Sequence, residues 1–138
     1  MYHTIEQLIG EYGVAAVPGE KIQVKVGDKV RVTATLSYRG PALSDYFYGA
    51  IGNRGAVGFD EILYAQVAIS FPQCTSWTAF SLTVDIPITS AISVGTNYDL
   101  YVKIKGHTEA GLPEVDNCID VLAASEFKDF KIVSYEKV

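Results

Sequence analysis

The stretch from Lys29 to Arg39, KVRVTATLSYR, places Val30, Val32, Ala34, Leu36 and Tyr38 on one parity and Arg31, Thr33, Thr35, Ser37 and Arg39 on the other. Successive side chains of an extended chain point to opposite faces, so this period of two predicts a strand with one face on a core and the other in water. The pattern recurs in Phe80, Leu82, Val84 and Ile86 against Ser81, Thr83 and Asp85, and in Tyr98, Leu100, Val102 and Ile104 against Asp99, Tyr101, Lys103 and Lys105. Ile22 to Val26, Tyr46 to Ile51, Ile62 to Phe71 and Phe127 to Tyr135 alternate less cleanly. Turn-forming residues lie between these segments: Gly27-Asp28, Arg39-Gly40-Pro41, Asn53-Arg54-Gly55, Pro72 to Ser76, Val94 to Asn97 and Gly106 to Pro113. About seven short strands punctuated in this way predict an all-β, antiparallel sandwich.

The chain has 138 residues, which suffices for one domain that buries roughly two thirds of the surface its unfolded form exposes. Residues 21–138 hold all the strand signals and residues 1–20 stand apart as an N-terminal arm or extra strand. Within that segment Thr4 and Gln7 can cap a short helix bearing Ile5, Leu8 and Ile9. Gly10 and Gly13 would end it early, and a strand or an arm fits equally. Residues Met1 to Val17 are too apolar to remain in water, so they are expected to dock, either as an edge strand of their own domain or as an arm on a neighbouring copy.

Hydrophobic residues make up 49% of the chain and charged residues 20%, below the roughly 25% usual for soluble domains. A rich β-core explains this, and so does apolar surface covered by a partner. A net charge of -5 argues against phosphate binding, which needs clustered Lys and Arg, and the sequence holds no such stripe, so no nucleic acid is expected. No run is long enough for a helical membrane span, and MYHTIEQLIGEYG lacks the features of a signal peptide. Such a start is expected of an assembly component made inside a cell.

Two stretches carry a resemblance. VKVGDKVRVTATLSYRG, Val24 to Gly40, resembles the opening of adhesion-related immunoglobulin-like domains of bacterial and archaeal surface proteins. ISVGTNYDLYVKI, Ile92 to Ile104, resembles the turn and sixth strand of fibronectin type III domains. The resemblance implies an immunoglobulin-like β-sandwich in which Tyr98 forms a tyrosine corner, its hydroxyl bonded to the preceding turn. In that strand order the loops after strands two, four and six, residues 39–45, 72–78 and 106–126, emerge at one end. That end would gather Arg39, Leu43, Tyr46, Trp77, His107 and Leu112 as a binding surface. It would also bring Cys74 near Cys118, either as a disulfide or as two free thiols.

No catalytic chemistry is legible. The two histidines, His3 and His107, have no metal-ligand spacing, and the G-x-S-x-G elbow and the phosphate-loop and dinucleotide glycine patterns are missing. Glu109, Glu114, Asp116 and Asp120 lack the order of a calcium loop and read as a solvated acidic loop, so no metal or cofactor is expected. Tyr101 and Tyr135 lie on polar-face parities, as candidates for a flat aromatic surface or an interface.

These observations predict a non-enzymatic structural or interaction module that assembles on a larger surface. That surface would be a virion, as with a capsid-decorating protein, or a cell, through a protein partner or self-association. The alternative is a carbohydrate- or ligand-binding module. An exposed aromatic row including Trp77 or Tyr101 would favour the alternative; an apolar patch would favour assembly.

Overall fold

Alternation of apolar and polar side chains becomes seven strands in a computed structural model, which describes residues 20–138: β1 (Ile22–Val24), β2 (Lys29–Gly40), β3 (Leu43–Arg54), β4 (Phe59–Phe71), β5 (Cys74–Pro87), β6 (Gly95–Ile104) and β7 (Glu114–Val121). A 3-10 turn at Thr108–Ala110 is the one helical element among the described residues. One sheet has the order β1-β7-β6-β3-β4 and the other pairs β2 with β5, so the all-β sandwich expected from the strand pattern is the observed architecture. The expectation of an arm or extra strand at residues 1–20 lies almost wholly outside the described residues.

The pairing is not antiparallel throughout. β1 runs parallel to β7, with Ile22 opposite Ile119 and Val24 opposite Val121, while all other neighbours are antiparallel. The parity read for β2 and β5 holds: Val30, Leu82, Val84 and Ile86 are buried, and Val32, Ala34, Leu36 and Tyr38 are half-buried. The incomplete cover follows from architecture, since two strands cannot cover the face of five.

The core divides in two. Val30, Ile51, Leu63, Ile86, Ile119 and Val121 lead one cluster, and Phe47, Phe71, Leu82, Val84, Val102 and Ile104 form the other. Gly52 sits where β3 and β4 slip register; a Cβ there would lie 2.0 Å from the Asp60 carbonyl oxygen, so the slip requires glycine.

One strand was expected in the wrong place. The segment Phe127 to Tyr135 is not a strand, and residues 122–138 carry no regular structure. The seventh strand is instead Glu114–Val121, EVDNCIDV, which the sequence presents as an acidic loop. Burial of Cys118, Ile119 and Val121 against β1 and β6 outweighs its poor strand composition.

Candidate functional site

The connections 41–42, 72–73 and 105–113 meet at one end of the sandwich, as pairings Gly40 to Cys74, Leu43 to Phe71 and Phe47 to Ile104 require. We call this the loop end. Of the six residues expected to converge there, two interact directly: the Arg39 guanidinium lies 4.6 Å from the centre of the Trp77 ring. Trp77, 65% exposed, belongs to β5 rather than to a loop, and Tyr46 and Leu43 belong to β3. Leu43 turns toward the second core cluster, whereas Leu112 stays exposed. Tyr46 stands under Lys105, whose Nζ is 5.9 Å from its ring centre.

His107 is held by Asp45. Its Nδ1 lies 2.6 Å from Asp45 Oδ2, while Asp45 Oδ1 accepts the backbone N–H of Tyr46 at 2.7 Å and of Gly106 at 3.0 Å. The Asp45 bond raises the His107 pKa above its ordinary 6.5, against a smaller opposing effect of desolvation. Burial pushes the Asp45 carboxyl up, but the bonds from His107, Tyr46 and Gly106 together hold it below 3.8. This carboxylate therefore ties the β6–β7 connection to β3. Beside it Ser44, Tyr46, Ala68 and Ser70 line a shallow depression of about 390 Å³.

The cysteines are not bridged. Cys74 Sγ donates to the Pro72 carbonyl at 3.3 Å and Cys118 Sγ to the Val115 carbonyl at 3.4 Å. The reason is the misplaced strand: Cys118 is inside β7 and packed in the first core cluster, not on a loop. Burial, with the Asp99 carboxylate nearby, pushes its thiol up to about 11.

On the outer face of the five-stranded sheet, Tyr48, Ala50 and Tyr101 form a small third cluster with Phe59. The Tyr48 hydroxyl donates to Glu61 Oε1 at 2.5 Å and that of Tyr101 to Glu61 Oε2. Desolvation and the Glu61 carboxylate raise both phenol pKa values. Tyr48 stacks on Tyr64 with ring centres 5.5 Å apart, and Lys103 Nζ lies 4.8 Å from the Tyr48 ring centre. Tyr101 is only 9% exposed, so it offers no face to a ligand. Among the described residues no three His, Cys, Asp or Glu side chains converge as metal ligands would.

The opposite end is built differently. Val26, Val57, Val94 and Leu122 are all exposed, in the β1–β2, β3–β4 and β5–β6 connections and just after β7. Pairings Val24 to Val121, Gly95 to Val121 and Arg54 to Phe59 put these four positions at one end. From here, the exit end, the C-terminal segment leaves. Phe127, Phe130, Ile132, Val133, Tyr135 and Val138 are each at least 84% exposed. No family model, curated protein or solved structure matches the chain. Among the described residues no helix is long and apolar enough to cross a membrane.

Sequence reasoning missed the residues that hold the exit end together. Asp99, buried, accepts the backbone N–H groups of Arg54 and Asn117, both at 2.7 Å. Asp120, also buried, accepts the N–H of Asn97 at 3.0 Å and pairs with Lys21 at 3.3 Å. Asn97 and Asn117 have positive φ, so each carboxylate satisfies an N–H that an irregular β6–β7 ladder leaves without a strand partner. The signal lay in Asn97, two residues before Asp99, and Asn117, three residues before Asp120, which read only as turn and loop. Tyr98, by contrast, is where the corner was expected: it is buried and its hydroxyl donates to the Ser93 carbonyl at 2.7 Å.

Proposed function

We propose that this chain is a non-enzymatic structural module that assembles with copies of itself into a larger surface, either a virion coat or a cell-surface layer. The observation that carries this reading is the exposed C-terminal segment, whose six large apolar side chains contact water almost completely. Each such side chain gains about 1.5–3 kcal/mol when fully buried, so their cover is a strong driving force for association. The apolar tips Val26, Val57, Val94 and Leu122 enlarge the patch at the same end. The resemblance to adhesion-related immunoglobulin-like domains agrees with a scaffold of this use, and the His107–Asp45 contact reads as a loop fastening rather than a reaction centre.

Light scattering of the full chain across the micromolar range tests the reading. Mass that grows with concentration supports it; a chain that stays monomeric throughout sinks it. One observation favours ligand binding as a second reading: Trp77 is exposed and its ring already receives a cation. Sugar binding that a Trp77→Ala variant loses, by a monomeric protein, would replace the first reading with the second.

A further inference from the structure

Resting on that assembly reading, we infer that Phe130–Tyr135 of one copy adds as an antiparallel strand to the outer edge of β4 in a second copy. The structure leaves several strand edges without a described partner, and they differ in chemistry. β1 is three residues long. β2 turns Lys29, Arg31 and Arg39 to solvent, and such charges discourage pairing. β5 is free of charge and proline from Cys74 to Val84, but toward its end the solvent parity is Ser81, Thr83 and Asp85. β4 has ten residues, Ile62 to Phe71, with neither a charge nor a proline, and carries apolar side chains on both parities, Ile62, Tyr64 and Ala68 against Leu63, Val67 and Ile69. Among the described residues it pairs only with β3. A long uncharged edge of this kind is a template for another strand.

The two faces of that edge fit the two faces of the tail. Val67 is on the core-facing parity of β4 yet remains 39% exposed, because the two-stranded sheet is too narrow to cover it. Tyr64, on the outer face, is more exposed still. The tail, FKIVSY, is likewise apolar on both parities: Phe130 and Ile132 on one, Val133 and Tyr135 on the other. Asp129, just before it, has a positive φ of 59°. With Phe130 opposite Val67, Ile132 falls opposite Ala65 toward the core. Val133 then lies opposite Tyr64 and Lys131 opposite Gln66 on the outer face. A strand with one polar face, such as β2 would suit, would leave half of these side chains in water.

Direction makes the acceptor a second copy. β7 ends, and β4 begins, at the exit end. A segment leaving there runs alongside its own β4 only in the parallel sense, after crossing β6, β3 and β4, roughly 19 Å of sheet. The tail's large apolar side chains are exposed rather than laid along its own β4, and an inverted neighbour brings its tail to this edge in the antiparallel sense.

The test compares the full chain with three variants by light scattering: Tyr64→Lys, Val67→Lys and a chain ending at Ser125. Tyr64 is already mostly in water, so its replacement leaves the fold in place; residues 126–138 belong to neither core cluster, so their removal does too. Self-association is expected in the full chain and lost in all three variants. A synthetic peptide of residues 126–138 should bind the shortened chain but not its Tyr64→Lys form. Two results overturn the inference while leaving assembly standing. In one, the shortened chain still associates, so that the tail is not what joins the copies. In the other, association depends on the tail but ignores both edge variants, so that the tail docks elsewhere. A full chain that is monomeric throughout overturns this inference and the assembly reading together.

Discussion

The two ends of the sandwich solve the same problem by different means. At the loop end, one carboxylate, Asp45, takes two backbone N–H groups and a histidine, and the fastening stands partly in water. At the exit end, two buried carboxylates, Asp99 and Asp120, take the N–H groups of Arg54, Asn117 and Asn97, while apolar tips face outward. The first is a contact that pH can adjust. The second is structural, because a buried carboxylate that loses its donors has little water to replace them. The end that presents apolar surface is thus the one fixed by buried bonds.

If that contrast is right, Asp99→Ala is the most damaging of the polar changes. It removes the buried acceptor of the Arg54 and Asn117 N–H groups and should destabilise by roughly 1–3 kcal/mol, read as a fall in the denaturant midpoint. Tyr98→Phe, which removes one hydroxyl bonded to Ser93, should cost about 1–2 kcal/mol by the same measurement. A melting transition unchanged from wild type would take Tyr98 out of the exit-end scaffold.

Asp45→Asn is expected to have the smallest effect on global stability and the clearest effect on titration. The raised His107 pKa means its contribution is complete below 6.5 and fades as pH rises through the raised value. The lowered Asp45 pKa means its contribution is complete above 3.8 and fades as pH falls through the lowered value. The fastening is therefore tightest between the two. In Asp45→Asn the His107 midpoint, followed by NMR, should drop back toward 6.5; an unmoved midpoint, or a stability loss as large as that of Asp99→Ala, would erase the difference between the ends.

Much of the fold was legible because alternation alone reports a half-buried strand: β2, β5 and β6 follow from Val30–Tyr38, Phe80–Ile86 and Tyr98–Ile104 with their faces correct. What was hidden depends on neighbours. Asp116, Asn117 and Asp120 give β7 the look of a loop; burial of Cys118, Ile119 and Val121, with Asp99 and Asp120 accepting the N–H groups of Asn117 and Asn97, makes it a strand. Conversely, FKIVSY has every local mark of a strand but finds no edge within its own domain. Of the side chains expected at the loop end, Arg39 does meet Trp77, while Cys118, which lies within β7, forms no bridge with Cys74.

The parallel pairing of β1 with β7 bears on how the domain carries load. The chain enters β1 from the direction of the loop end and leaves β7 at the exit end, so tension along the backbone pulls the two strands past one another. The hydrogen bonds between them, and the Leu122 N–H on the Val24 carbonyl, are then strained together in shear rather than unzipped in turn. A layer built from such units would resist stretching along its strands better than peeling across them.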